Sequence, residues 1–459
     1  MLNAYLKSRI TDAKKLVNEL NKTYEYVSIL GSYVKNKRIL VSTKIKSIDE
    51  VENECGFVIK VYKDGRYSEY SCNDIKGLKA KDVIKAVKLE NIYSKEFTVK
   101  MLEEKEHVED FLREDKNPLN NDEIVKRLEK VKDFVHSNEK VIQTNCVYIK
   151  RETSKIFVSK SKCLTQKYDW INAMLVIVTR DGNNIKDNYH AEGEYDSLLA
   201  LEKLEKNAQH ELDIAVKLLE SKPIKPGKYT IITDPSISGL IAHEAFGHGV
   251  EMDMFVKNRA KAKDYVGKYV ASKLVNMYDG AASCISAASY FFDDDGIEAH
   301  NTQIIKDGIL VSGISDSLSA LTLGQEPTGN GRREAFDHKV YTRMTNTFFA
   351  AGKDKLEDMI KSVKHGYYLC QTNNGMEDPK NWQIQCTASY GLEIKNGEFT
   401  GKIVSPVIIS GYVVDLLSSI SMVSNEVSVL GSGMCGKGHK EWVYVSDGGP
   451  YLKAEAKLG

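Results

Sequence analysis

One six-residue segment concentrates the side chains that hydrolytic metal sites use: His243-Glu244-Ala245-Phe246-Gly247-His248. Imidazole nitrogens are good zinc ligands, and a glutamate beside a ligating histidine is placed to take a proton from water at the metal. The chain has only 10 histidines in 459 residues, so a chance H-E-x-x-x-H is expected in about one or two such chains per hundred. The segment therefore predicts a zinc-dependent peptidase, with His243 and His248 as ligands and Glu244 as general base.

The two histidines are spaced i, i+5, one residue wider than in the familiar H-E-x-x-H helix. On a regular α-helix this spacing places the two rings about 140° apart, so they could not share one tetrahedral ion. A π-type turn would bring them together, and Gly247 favours that distortion. The run 229–233 is typical of a strand, and Asp234-Pro235-Ser236 offers a turn and a helix start. The alternative is that both histidines are ordinary residues of an amphipathic helix.

A catalytic zinc usually keeps three protein ligands and one open position, so a third ligand is needed. The local candidates are Glu251 and Asp253. The distant candidate is Cys435, in a glycine-rich segment, 431–439, that lets backbone approach closely. Lys437 and a metal would each favour the thiolate form of this cysteine. The alternative for a lone cysteine is a buried, unreactive side chain.

Five motifs follow one another along the second half of the chain. They are 243–253, Asp294-Asp295-Gly296, Thr328-Gly329-Asn330 with Arg332-Arg333, Arg343-Met344-Thr345-Asn346 and Met434-Cys435-Gly436-Lys437. On these motifs the chain resembles the TldD/PmbA family of metallopeptidases, and more closely its TldD-like branch, because the H-E-x-x-x-H motif is intact. The resemblance covers nearly the whole C-terminal half, whereas the N-terminal half matches only loosely.

The resemblance implies roles for four residues. In the family the two histidines and the cysteine hold zinc and the glutamate is the general base, which corresponds here to His243, His248, Cys435 and Glu244. The resemblance further implies that the substrates are peptides or unfolded polypeptides, and that the protein forms a homodimer or a heterodimer with a family paralogue. The alternative function is a non-catalytic binding or assembly subunit of a dimeric peptidase complex. Glu244 argues for catalysis, because a purely structural site needs no adjacent base.

The chain departs from the family pattern directly after Lys437. Gly438-His439 stands where the family usually has a Gly-Gln pair. His439 could therefore compete as a ligand or act as an electrophile near the substrate carbonyl. Cys435 is the preferred ligand because it occupies the family position.

Composition agrees with a large soluble enzyme and argues against a nucleic-acid or membrane protein. A chain of 459 residues exceeds a single ordinary core, so two domains are expected. Lys+Arg and Asp+Glu are both 64, which argues against a nucleic-acid partner. No segment reaches the roughly 18 apolar residues of a membrane span. The eight cysteines are scattered and the N-terminus lacks the features of a signal peptide, so we expect a cytoplasmic protein with reduced thiols.

Periodicity and turn residues predict an α+β fold with two domains. Pro223 and Pro226 end a long amphipathic pattern, which places a boundary near residue 222. Residues 1–222 are expected to form an N-terminal domain of mixed helix and sheet, and residues 223–459 a mostly β metallopeptidase domain that carries the metal-site helix. The predicted N-terminal elements are helices over 2–20, 79–88, 121–137 and 194–221, and strands over 24–30, 38–43, 56–62 and 67–72, the last two joined in a hairpin through Asp64-Gly65.

Two further segments have more than one interpretation. The acidic run 291–296 could suggest calcium, but it lacks the ligand ladder of an EF-hand, so a turn between strands is expected. The glycine-rich run 323–333 resembles a phosphate loop but lacks G-K-[ST]. Its Arg332 and Arg333 could hold substrate carboxylates or structural aspartates, and the sequence does not choose. Nor does it assign a role to Arg343.

Overall fold

The computed structural model describes residues 1–91, 101, 104–438 and 440–459. The fold is mixed α+β, which confirms the predicted class. The helices are α1 Ala4–Leu20, α2 Ala80–Ala86, α3 Asn121–His136, α4 Ser197–Lys217, α5 Pro235–Ala242, α6 Met252–Val256, α7 Ser317–Thr322, α8 Leu356–Lys361 and α9 Val413–Ser418. The strands are β1 Tyr26–Ser42, β2 Lys46–Lys63, β3 Arg66–Cys72, β4 Glu90–Asn91, β5 His107–Arg113, β6 Val141–Ser159, β7 Lys162–Asp181, β8 Asn184–Glu194, β9 Gly227–Thr233, β10 Met277–Asp279, β11 Thr302–Lys306, β12 Ile309–Leu310, β13 Gly331–Arg332, β14 Tyr341–Thr342, β15 Asn346–Phe349, β16 His365–Asp378, β17 Gln383–Lys395, β18 Glu398–Val404, β19 Val407–Tyr412, β20 Met422–Cys435 and β21 Val443–Leu458. None of the helices in these described ranges is long and apolar enough to cross a membrane.

The N-terminal half of the chain builds one sheet covered by helices. The described strands run in the order β4-β3-β2-β1-β6-β7-β5, with β8 paired to β7. The apolar sides of α1, α3 and α4 pack on one face of this sheet. On the opposite face, Phe157 and Leu164 contact Phe292 from the second half of the chain. The sheet therefore has a helix-covered face and a face that meets the rest of the protein.

The predicted N-terminal elements are largely confirmed. Asp64 and Gly65 have positive φ angles of 52° and 72°, as a two-residue hairpin turn of type I′ requires. The prediction of separate strands at 24–30 and 38–43 is wrong, because both lie in the single strand β1. Its central residues keep their pairing with β2 and β6, and this pairing on both sides overrides the weak strand propensity of the intervening glycine, serine and asparagine. The division into two domains near residue 222 stays a prediction.

The second half of the chain builds a larger sheet that closes on itself. Its described strands run in the order β12-β11-β10-β15-β21-β19-β17-β16-β9, with β18 on β17 and β20 on β21. Because β9 pairs with both β16 and β21, the strands β21, β19, β17, β16 and β9 form a ring. Helix α5 follows β9 and packs against β21 and β16. This confirms the predicted strand at 229–233 and the helix start at Asp234-Pro235.

Buried ion pairs join the first sheet to loops of the second half. Lys60 binds Asp295, and Arg333 forms two hydrogen bonds to Glu69, at 2.6 and 2.9 Å. A neutral contact adds to them, since Trp170 Nε1 donates to the carbonyl of Gly431 at 2.8 Å. Charged groups that are paired in this way avoid the large cost of burying a charge alone. These contacts hold the first sheet beside the segment that leads into Cys435.

Candidate metal centre and active-site cleft

Helix α5 is the element that carries the H-E-x-x-x-H segment into the core. Asp234 caps its start, with Oδ1 accepting from the backbone N–H of Ile237 at 2.8 Å, and Pro235 occupies the first turn, where it is favoured. Every residue of α5 after Pro235 is buried, as expected for a helix whose surface is apolar or small all round. Gly239 permits this burial, because a Cβ there would lie 2.3 Å from the backbone nitrogen of Gly448.

A π-helical turn over His243–Gly247 continues α5 and confirms the predicted distortion. The backbone N–H of His248 donates to the carbonyl of His243, which closes a turn of five residues instead of four. Phe246 leaves helical geometry at φ −130°. Gly247 is required at its position because a Cβ would lie 2.0 Å from Met344 Sδ. The extra residue in the turn directs both imidazoles to the same side.

The two imidazoles meet Cys435, which lies 192 residues beyond His243. The distance to Cys435 Sγ is 3.3 Å from His243 Nε2 and 3.2 Å from His248 Nε2. All three donor atoms lie within 4.8 Å of one another. Zinc bonds of about 2.1 Å to nitrogen and 2.3 Å to sulfur at a tetrahedral angle would separate N from S by about 3.6 Å. The three donors therefore fit a zinc ion with shifts of a few tenths of an ångström.

The electrostatics of the cluster favour a metal-binding thiolate. Burial opposes ionisation of Cys435, but the two imidazoles outweigh it and lower the pKa of the thiol to about 4. For His243 and His248 burial likewise acts against the charged form, and the sulfur of Cys435 outweighs it and raises both pKa values. A thiolate beside two imidazoles is a donor set suited to zinc.

Arg343 positions the backbone around Cys435. Its Nη2 donates to the carbonyl of Cys435 at 3.0 Å, and its Nη1 donates to the carbonyl of Glu441. Arg343 is fully buried, so water does not compete with the two carbonyls for its N–H groups. The structure thus supplies the role that the sequence left open for Arg343. His439, between these two carbonyls, lies outside the described residues, and its competition with Cys435 stays a prediction.

The two local candidates for the third ligand serve other purposes. Glu251 lies on the far side of His248, with its Oε2 3.6 Å from Nδ1, and it accepts a hydrogen bond from Lys437 Nζ at 2.9 Å. Asp253 accepts from the same Lys437 at 2.9 Å and from Lys257 at 2.9 Å. Burial acts to raise the pKa of Glu251, but Lys437 and His248 outweigh it and hold the pKa well below its usual range. A carboxylate in this place orients the imidazole of a metal-ligating histidine.

Glu244 faces a cleft of about 770 Å³ that contains the cluster. The cleft is lined by 372–377 of β16 on one side and by 433–438 on the other. Glu244 packs against Gly375, where a Cβ would lie 2.7 Å from its Oε1. Its carboxylate makes no hydrogen bond to the described part of the chain. It is therefore available to a substrate or to water in the cleft.

The other residues singled out from the sequence have structural partners. Arg333 binds Glu69, and Arg332 Nη1 donates to the carbonyl of Met344 at 2.6 Å. Neither arginine lines the cleft around the cluster. The acidic run 291–296 is a turn, as predicted, in which Asp293 Oδ1 accepts from the backbone N–H groups of Asp295 and Ile297, each at 2.9 Å.

Sequence reasoning missed two acidic residues of the cleft. Glu377 lies on β16 and Asp447 on β21, and both line the cleft. Burial raises the pKa of Asp447 to about 6 and that of Glu377 well above its usual range. Neither residue belongs to a motif, and only the folding of β16 and β21 around α5 brings them beside Glu244.

Comparison with known proteins finds a matching family model, related metalloproteases and a solved structure of the same fold. Residues 226–456 match the model of the PmbA/TldA metallopeptidase C-terminal domain. A metalloprotease of Methanothermobacter thermautotrophicus is 26% identical over 445 residues, which cover 95% of this chain and 96% of the relative. A zinc metalloprotease TldD homolog of Saccharolobus solfataricus is 31% identical over 242 residues, 52% of this chain and 53% of the relative. The structure of TldE from Thermococcus kodakarensis superposes with a TM-score of 0.76 at 18% identity, over 98% of this chain and all of TldE, and shows a common fold.

Proposed function

The chain belongs to the PmbA/TldD family of metallopeptidases, and from this membership we propose that it is a zinc-dependent peptidase acting on peptides or unfolded polypeptides. The observation that carries the proposal is the convergence of His243, His248 and Cys435 within 4.8 Å, in the same cleft as Glu244. Three ligands with an open side and a neighbouring base are typical of catalytic zinc sites, whereas structural sites normally close all four positions.

The proposed mechanism divides the work between the metal and Glu244. A zinc ion held by His243, His248 and Cys435 would lower the pKa of water and polarise the scissile carbonyl. Glu244 accepts a proton from the attacking water and delivers it to the leaving amine. Gly375 keeps that carboxylate at the cleft wall, because a side chain in its place would displace Glu244. Glu251 holds His248 from behind and fixes the direction of its ring.

The edge of β16 supports the proposal of an extended substrate. From Thr372 to Asp378 this strand pairs with β17 on one side. On the other side its described pairing with β9 covers only Gly366 to Leu369. An extended peptide could add to the free edge by backbone hydrogen bonds, a mode that tolerates most side chains. Because such an edge accepts only an extended chain, we expect unfolded segments to be cleaved and compact proteins to resist.

The proposal also includes a cytoplasmic location and a dimeric assembly. All eight cysteines are free, which suits the reducing cytoplasm. We also propose that the chain forms a dimer with an identical chain or a family paralogue. Sedimentation of the purified protein, alone and mixed with the paralogue, tests this point: a monomer in both samples contradicts it.

The substitution Glu244→Gln tests the proposed function. Near one zinc per chain is expected in both the wild type and the variant, measured by elemental mass spectrometry of natively purified protein. Peptide hydrolysis should fall by about 10²- to 10⁴-fold in the variant, because general base catalysis is lost while the ligands remain. Glu398→Gln, at an exposed position of β18, is the control and should keep full activity.

Two outcomes would contradict this proposal in different ways. Undiminished turnover in Glu244→Gln would remove Glu244 from the role of general base. No bound metal in the wild type, even after zinc is supplied, would overturn the peptidase assignment and favour a non-catalytic assembly subunit.

A further inference from the structure

Glu377 carries a buried carboxylate in the lining of the active-site cleft. Both carboxylate oxygens of Glu377 are buried and accept no hydrogen bond from any described residue. A buried acceptor that has lost its water and gained no donor costs free energy, and more when the acceptor is charged. The proposed mechanism gives Glu377 no role. Its oxygens therefore point to a donor that arrives with the substrate.

The strand that carries Glu377 fixes its position relative to Glu244. Gly375 and Glu377 are two residues apart on β16, so they face the same side of the strand. Gly375 packs against the Glu244 carboxylate, and Glu377 Oε1 would lie 2.9 Å from a Cβ on Gly249, next to the ligand His248. One two-residue repeat of a strand is about 7 Å. The Glu377 side chain thus leaves β16 about 7 Å along the strand from the point where the proposed general base packs.

The surroundings of Glu377 favour a cationic donor from outside the chain. The lysine of the cleft, Lys437, is already paired with Glu251 and Asp253. Glu377 belongs to no group of three described His, Cys, Asp or Glu side chains that could hold a metal ion. Unlike a metal ion, an ammonium group does not need several His, Cys, Asp or Glu ligands. It brings three N–H donors to the two carboxylate oxygens of Glu377. The incoming positive charge favours the ionised carboxylate, and hydrogen bonds between charged groups of this type are short and strong.

A peptide substrate carries such a group at its N-terminus. An extended chain advances about 3.3 to 3.6 Å per residue, so an amine held at Glu377 would place the first or second peptide bond near Glu244. We propose that Glu377 binds the free α-ammonium group of the substrate, and that the enzyme therefore removes one or two residues from peptide N-termini. This inference rests on the proposed peptidase function and adds to it the end of the chain that is recognised.

Two peptides that differ only in N-terminal acetylation test the inference. The zinc-loaded wild type should hydrolyse the free-amine peptide with a kcat/KM about 10- to 100-fold higher than the acetylated one, since one charge-assisted contact is worth about that factor. Mass spectrometry of the products should show loss of one or two N-terminal residues. Glu377→Gln should lower kcat/KM for the free-amine peptide by the same factor and leave the acetylated peptide nearly unchanged. The matched control Glu398→Gln should change neither value.

A binding measurement separates recognition from turnover. Glu244→Gln is expected to bind peptides and to cleave them slowly. It should bind the free-amine peptide about 10- to 100-fold more tightly than the acetylated peptide in calorimetry. Adding Glu377→Gln should abolish that difference, which a merely structural role of Glu377 would not do.

Three results would overturn the inference. Equal kcat/KM and equal affinity for the two peptides, with an active enzyme, would leave the peptidase standing and remove Glu377 from substrate recognition. Two zinc ions per chain in the wild type and one in Glu377→Gln would make the carboxylate a metal ligand instead. Hydrolysis of neither peptide by the zinc-loaded wild type would defeat the peptidase function, and the inference with it.

Discussion

The substitution Glu251→Gln isolates the carboxylate that supports the imidazole of His248. Glu251 is 2% exposed, accepts from Lys437 at 2.9 Å and lies 3.6 Å from His248 Nδ1. Glutamine keeps the shape but loses the charge. Lys437 Nζ and His248 Nδ1 both face Oε2, and Oε1 lies 3.5 Å from Arg343 Nε. An amide that keeps its oxygen toward Lys437 and His248 therefore turns its N–H group toward Arg343. The variant therefore perturbs the ion pair and the orientation of a proposed ligand together.

The magnitude follows from the two contacts. Breaking a buried ion pair by removing one partner costs about 3–5 kcal/mol of folding stability. Losing the outer partner of a metal-ligating histidine typically costs 10- to 100-fold in metal affinity, which is about 1.4–2.8 kcal/mol. We expect Glu251→Gln to lose stability of the first size, measured by denaturant unfolding of the metal-free protein, and zinc affinity of the second size, measured by competition with a chelator.

Asp253→Asn is the matched control, because it separates the two effects. Asp253 is 1% exposed and accepts from the same Lys437 at 2.9 Å. Within the described residues it forms no hydrogen bond or ion pair with either imidazole. The control should therefore lose stability on a similar scale and keep most of its zinc affinity. Equal loss of zinc affinity in both variants, or none in Glu251→Gln, would refute the reasoning that Glu251 acts through His248.

Two other predictions concern residues other than the proposed ligands and their direct partners. Burial lowers the pKa of His190, but the carboxylates hydrogen-bonded to it prevail and raise it to about 9. The protonated His190 therefore stabilises the folded protein by on the order of 3 kcal/mol below the unfolded-state pKa of about 6.5, and this stabilisation is lost as pH rises through 9. Thermal unfolding of His190→Gln should lack that decline in stability. A pH profile identical to that of the wild type would contradict the prediction. Gly239→Ala should cost about 1–3 kcal/mol or more in denaturant unfolding, since its Cβ would lie 2.3 Å from Gly448 N, whereas Gly433→Ala, with 3.8 Å to its nearest atom, should cost little.

The local part of the site could be predicted from the sequence because it depends on backbone geometry. The i, i+5 spacing of His243 and His248 excludes a shared ion on a regular helix, and the π turn is the smallest change that removes the conflict. Strand β9 and the cap at Asp234 were equally readable, since propensity and capping act over a few residues. The hairpin at Asp64-Gly65 belongs to the same class of local signal.

The non-local part of the site could not be predicted from the residues alone. Cys435 was one candidate among three until the family resemblance selected it, because no local rule relates positions 192 residues apart. The support of His248 by Glu251 needed the position of Lys437, which another part of the chain supplies. Glu377 gave no signal in the sequence, since strand pairing and the packing of α5 bring it to the cleft. For the same reason the sequence predicts two strands where the structure has the single strand β1, because pairing on both sides determines its length.

Strand β21 is the common reference that brings the distant ligand to the local ones. Its residue Val443 pairs with Cys435 at the end of β20, and its residue Gly448 lies against Gly239 of α5. These two contacts are five residues apart on one strand, about 17 Å. Strand β21 thus fixes the position of the Cys435 sulfur relative to α5, the helix that leads into the two imidazoles. A shift of β20 against β21 by one residue would turn the Cys435 side chain to the opposite face of the sheet. The proposed metal centre therefore depends on strand register as much as on the H-E-x-x-x-H segment, and that dependence is why the motif alone left the third ligand open.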